Sequence, residues 1–131
     1  MATATAVTHR RHAREAYNAF LAECPSRQLL DRLSEKWVGL TIQALADGQQ
    51  RYSEIARTVA GVSPKMLTQT LRSLERDGIV EREVTAAVPV RVDYRLTALG
   101  ESLLPVMRAV KDWAERHMDD VHAARAGFDT R

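Results

Sequence analysis

The chain has 131 residues, within the range of one compact domain, and its 45% hydrophobic and 27% charged residues are the composition of a globular protein, not a disordered one. A net charge of +2, carried by sixteen arginines and three lysines against 17 acids, supplies fork-shaped donors for phosphate or carboxylate without a strong overall field. The single cysteine excludes an intrachain disulfide framework and multi-cysteine zinc modules, no apolar run approaches the ~20 residues that span a bilayer, and the basic stretch after Thr8 lacks a secretory core, so a cytoplasmic location is expected.

Residues 1–8 are small and polar and are expected to form a disordered tail. From His9 to Glu23 the residues Ala13, Ala16, Tyr17, Phe20 and Leu21 recur at helical spacing, an apolar stripe that needs a partner. Cys24-Pro25 breaks this helix and opens a second one to about Ser34. A third, from about Lys36 to Ala46, carries Trp37, Val38, Leu40, Ile42 and Leu45 around most of its circumference and belongs in the core. After the Asp47-Gly48 turn, Arg51-Tyr52 reads as a brief strand, and Ser53 as the N-cap of a helix through Val59 with Ile55 and Val59 turned inward.

Ala60-Gly61-Val62 makes a turn, and Ser63-Pro64 is an N-cap followed by a proline at the first helical position. Leu67, Leu71 and Leu74 fix the buried face of the helix that follows, which Gly78 ends as its left-handed residue. The period then changes to two, through Val80, Arg82 and Val84 and again through Val90, Val92, Tyr94 and Leu96, predicting a hairpin. Thr97 caps a last helix, from Ala98 to about His122, with Leu99, Leu103, Val106, Met107, Val110, Trp113 and Ala114 on one side and Pro105 as an expected kink or boundary. Residues 123–131 are expected to fray. The fold expected is a single domain over 9–122, mainly α with a small β-hairpin wing: a winged helix-turn-helix with terminal helices at 9–23 and 98–122.

If the three leucines face inward, Lys65, Thr68, Gln69, Arg72 and Arg76 face outward. A helix fits the DNA major groove, where arginine or lysine pairs with guanine and glutamine with adenine. Arg72 is the leading base-reading candidate. Ser63, with Pro64 behind it and Ser53 on the preceding helix, can offer donors to a phosphate, and Arg82 and Arg91, read as lying near the hairpin tip, can reach the adjoining backbone or minor groove. One amphipathic helix with such residues is more often a solvated surface, but the ordered neighbours on both sides favour recognition of double-stranded operator DNA.

These residues resemble the HxlR-type winged-helix regulators over roughly Glu23 to His117. The resemblance is carried by Cys24-Pro25, Lys36-Trp37, Arg51-Tyr52-Ser53-Glu54-Ile55, Val62-Ser63-Pro64-Lys65, Leu71-Arg72-Ser73-Leu74-Glu75, Asp77-Gly78-Ile79-Val80, the run from Val88 to Thr97, and Leu99-Gly100. It implies a homodimer built through the N- and C-terminal helices, with Tyr17, Phe20, Leu103, Val106, Met107, Val110 and Trp113 at the dimer interface, and repression as the default activity. Ser34-Glu35 stands where the family often has glycines, and Asp93 where glutamate is commoner, with Arg91 or Arg95 as its available partner.

Cys24 has two readings, a redox-sensing thiol at a helix N-terminus or a small packed core thiol. His9, His12, His117 and His122 fall near opposite chain ends without a ligand cluster, so no metal and no cofactor is expected. Tyr17, Phe20, Trp37 and Trp113 either fill the core or line a pocket for a small-molecule effector. No nucleophile-base pair or phosphate-cradling glycine loop points to an enzyme. A winged helix used only to bind other proteins would need an acidic or apolar recognition face, and this one is basic and polar.

Overall fold

The computed structural model describes residues 4–131, which divide into two compact units, one ending at Lys36 and the other running from Trp37 to Arg131. The first unit holds α1 (Ala4–Glu23) and α2 (Pro25–Leu33). Helix α1 begins within the expected tail, because residues 4–8 contain no breaker and Thr8 Oγ1 donates to the Ala4 carbonyl at 2.9 Å; residues 1–3 lie outside the described part, as does the side chain of Leu21. Tyr17 and Phe20 are exposed. Cys24 is in extended backbone between the helices, and its carbonyl accepts the Gln28 amide at 3.0 Å, with Pro25 at the first helical position as its missing donor permits.

The second unit carries α3 (Lys36–Ala44) from Trp37 onward, β1 (Gln50–Arg51), α4 (Tyr52–Thr58), α5 (Pro64–Arg76), β2 (Val80–Thr85), β3 (Arg91–Leu96) and α6 (Ala98–Asp129). Its core joins Val38, Ile42 and Leu45 with Ile55 and Val59, the three leucines of α5, Val80 and Leu96 of the sheet, and Leu104 and Met107 of α6. Helix α3 is not buried all round: Leu40 is exposed and Trp37 half-buried, while Thr41 is fully enclosed. The three strands form an antiparallel sheet in the order β1-β3-β2, with Gln50 opposite Tyr94, Val80 opposite Leu96 and Thr85 opposite Arg91. The hairpin therefore rests on the core only at its base, and Val84, Val88 and Val90 are exposed where it runs beyond the core.

Two further expected boundaries shift. Tyr52 opens α4 and Ser53 lies inside its first turn; Arg51, which β1 holds in extended backbone, takes the N-cap position without a side-chain cap. Helix α6 passes through Pro105 without a break and continues beyond His122 to Asp129, since nothing in residues 123–128 but Gly127 weakens the helix. Thr97 caps it as expected, accepting from the Gly100 amide at 3.1 Å.

Candidate nucleic-acid interface

Helices α4 and α5 are joined by a short turn in which Gly61 has φ +92, a left-handed conformation that a side chain would strain. Ser63 Oγ accepts the Met66 amide at 3.1 Å and Pro64 stands at the first helical position, so the start of α5 is capped as the sequence predicts. The Tyr52 hydroxyl donates to the Pro64 carbonyl at 3.0 Å, tying the start of α4 to the start of α5. At the other end Gly78, with φ +76, closes the helix and turns the chain into β2.

Leu67, Leu71 and Leu74 are fully enclosed, and Lys65, Thr68, Gln69, Arg72 and Arg76 are exposed on the opposite side of α5. Ser63 and Pro64 are exposed at its entry, and Ser53 is exposed on α4. The wing departs from expectation. Arg91, opposite Thr85, does close the hairpin, but Arg82 stands opposite Tyr94 near the base and points at α5: its Nε lies 3.7 Å from Glu75 Oε1. Cross-strand parity accounts for this, since Arg82 shares a face with Val80, whose side chain enters the core.

Thr68, Arg72 and Glu75 of α5 line a concave cleft with Arg82 and Tyr94 of the wing. Burial raises the Tyr94 phenol above its ordinary pKa of 10.0, the Arg82 cation opposing the rise and the Glu75 carboxylate adding to it. Tyr94 and Glu75 were missing from the sequence-derived site; the i, i+4, i+7 spacing of Thr68, Arg72 and Glu75 and the shared parity of Arg82 and Tyr94 were the signals that could have found them.

On the other wing face Asp93 is buried, and its Oδ2 accepts Arg91 Nε at 2.9 Å. Arg95 serves instead as a bridge to Glu81 and Glu83, at 3.2 and 3.4 Å. On α6, Val106, Val110 and Trp113 are exposed and Leu103 is half-buried, whereas Met107 belongs to the subunit's own core, its methyl 3.2 Å from the position a Cβ on Gly39 would take. Cys24 is half-buried. Among the described residues no group of histidine, cysteine or carboxylates could hold a metal, and no helix is long and apolar enough to cross a membrane.

Two helices in a tight turn followed by a wing define a winged helix-turn-helix of the transcriptional-regulator class. Residues 32–122 match the family model of the HxlR-like helix-turn-helix, and the chain belongs to that family. It is 41% identical over 108 residues to the uncharacterized HTH-type transcriptional regulator YtfH of Escherichia coli K12, covering 82% of this chain and 86% of that one. It also resembles the solved structure of YtfH from Salmonella typhimurium, with a TM-score of 0.72 and 41% identity over 82% of this chain and 96% of that one. A third likeness is to the redox regulator HypR in its reduced form, with a TM-score of 0.73 and 38% identity over 76% of this chain and 99% of that one. These relatives are transcriptional regulators, and nothing in the comparisons indicates enzymatic activity.

Proposed function

We propose that this regulator is a homodimeric repressor that binds operator DNA in the cytoplasm, laying α5 in the major groove and the wing along the flanking backbone. The observation that carries the reading is the cationic, amide-bearing face of α5, held outward by three enclosed leucines and capped at its entry by Ser63. Arg72 reads a base, Gln69 lies beside it, and Lys65, Arg76, Ser63, Pro64, Thr68, Arg91 and Ser53 position the backbone. The exposed apolar residues Tyr17 and Phe20 of α1, and separately Val106, Val110 and Trp113 of α6 with half-buried Leu103, each offer a second copy apolar surface to dock on. Affinity selection of genomic fragments with purified protein tests the reading: a twofold-symmetric motif bound by a dimer is expected, and a monomer indifferent to every duplex at low salt would overturn it.

The likeness to a redox regulator supports a thiol-linked response of this chain as well. Two Cys24 thiols, one from each subunit, would give up two electrons and two protons to diamide and form one intermolecular disulfide, altering the spacing of the two α5 helices. Wild type is expected to lose operator affinity on diamide treatment while Cys24→Ser does not; an identical response of both removes the thiol from the account.

A further inference from the structure

The cleft between α5 and the wing is built from a hydroxyl (Thr68), two guanidinium groups (Arg72 and Arg82), one carboxylate (Glu75) and one half-buried phenol (Tyr94). Two cations against one anion leave it positive, and its donors converge on a concavity instead of spreading over a flat face. The geometry points to a clasp for one DNA backbone phosphate, in which Arg82, the Tyr94 hydroxyl and the Thr68 hydroxyl hold the phosphate and Glu75 is the counter-charge it displaces. The inference rests on the DNA-binding reading above and adds to it a phosphate site and a restraint on that site.

Three features support the assignment. Thr68 and Glu75 lie on the wing side of α5, next to the face that carries Lys65, Gln69 and Arg76, so a phosphate seated there borders a groove occupied by the helix. Arg82 and Tyr94 are directly opposed in the sheet register, which fixes donor and cation on one wall. The Tyr94 phenol, half-buried on that wall, is protonated at neutral pH and can donate. Glu75 has the character of a placeholder: its Oε1 lies 3.7 Å from Arg82 Nε, and a phosphate must take the guanidinium from it. Glu75 acts through Arg82 and is a positioning residue.

Binding titrations over a salt series, on a duplex recovered by affinity selection and on a scrambled duplex of equal length, test the clasp in the full-length dimer. Arg82→Ala is expected to reduce the salt slope by about 1 on both duplexes, the loss of one phosphate contact, and Arg82→Lys to restore it. Tyr94→Phe should weaken both duplexes about three- to fivefold with the slope unchanged. Glu75→Gln should tighten both about fivefold, and that gain should vanish in the Arg82→Ala background. The clasp is overturned if Glu75→Gln changes nothing or keeps its gain without Arg82, or if Tyr94→Phe loses affinity for the selected duplex alone. Failure of wild type to bind either duplex overturns the DNA reading itself, a result distinct from the others.

Discussion

Gly100 lies so close to the Ile79 carbonyl that a Cβ at this position would collide with backbone. The joint is held from both sides, for Thr97, at the end of the wing, donates its hydroxyl to the Gly78 carbonyl at 2.5 Å and its amide to Ile79 at 3.0 Å. Alanine ordinarily favours a helix over glycine by about 1 kcal/mol. Here the clash is with a carbonyl, which cannot rotate away like a side chain, and overpacking costs about 1–3 kcal/mol. Gly100→Ala is therefore expected to lower the thermal unfolding midpoint by several degrees; an unchanged or raised midpoint would show that α6 shifts freely on the wing.

Arg91 has a structural task within the wing. Its Nε donates to a carboxylate that is only 4% exposed, and among the described residues Asp93 Oδ1 has no hydrogen-bond partner. Truncation at residue 91 leaves Asp93 without that bond, a loss of about 1–3 kcal/mol for a buried polar group. Arg91→Ala should reduce both stability and DNA affinity, while Arg91→Ala/Asp93→Ala should recover stability without recovering affinity. Denaturant unfolding and gel-shift titration on the same preparations separate the two effects.

The parts of this molecule legible in its sequence are those fixed by local chemistry. Ser63-Pro64, Gly61, Gly78, Thr97 and the leucine spacing of α5 each carry a short-range physical reason, and the structure places them as that reason requires. What sequence could not supply was tertiary direction. Arg82 and Arg91 are both wing arginines, yet one turns to α5 and the other to Asp93, because they lie on opposite faces of the hairpin and only the pairing register shows which element each face meets. Met107 and Val110 share an apolar stripe on α6, but only packing against Gly39 marks Met107 as core. Both terminal helices extend past the ends that the sequence predicts, because the alanine-rich segments there carry neither a stripe nor a stop.

Tyr94 links pH to stability in one direction. Its pKa is raised on folding, chiefly by burial, so the unfolded chain loses this proton first as pH rises. The contribution is complete below the unfolded value near 10.0 and is lost as pH climbs through the higher folded value. Wild type should lose stability above pH 10 more steeply than Tyr94→Phe, measured by denaturant midpoints in alkaline buffers; parallel curves would show that the phenol ionises equally in both states.

Arg72 and Arg82 should fail differently on DNA. Both border the cleft, but Arg72 stands on α5 beside Lys65, Gln69 and Arg76 and Arg82 on the wing wall, so their truncations separate base reading from phosphate holding. Arg72→Ala is expected to cost about 1–3 kcal/mol on the selected duplex and far less on a scrambled one, whereas Arg82→Ala weakens both evenly. Equal losses for Arg72→Ala on the two duplexes would assign it to phosphate.

Val106, Val110 and Trp113 follow one another at i, i+4 and i+7 on α6 and are 42%, 56% and 55% exposed in the subunit. Trp113 also packs against His117, with ring centroids 4.8 Å apart. A second copy that buries this ridge cannot accommodate a charge at its centre, because an unpaired carboxylate in a desolvated interface costs several kcal/mol. Val110→Glu, exposed in the free subunit, should leave its helical content and core intact but sediment as a monomer where wild type sediments as a dimer. Operator affinity should fall with it, since one α5 helix then binds without its twofold mate. A Val110→Glu protein that remains dimeric would move the interface away from this face of α6, and an unaltered operator affinity in a monomer would end the requirement for a pair.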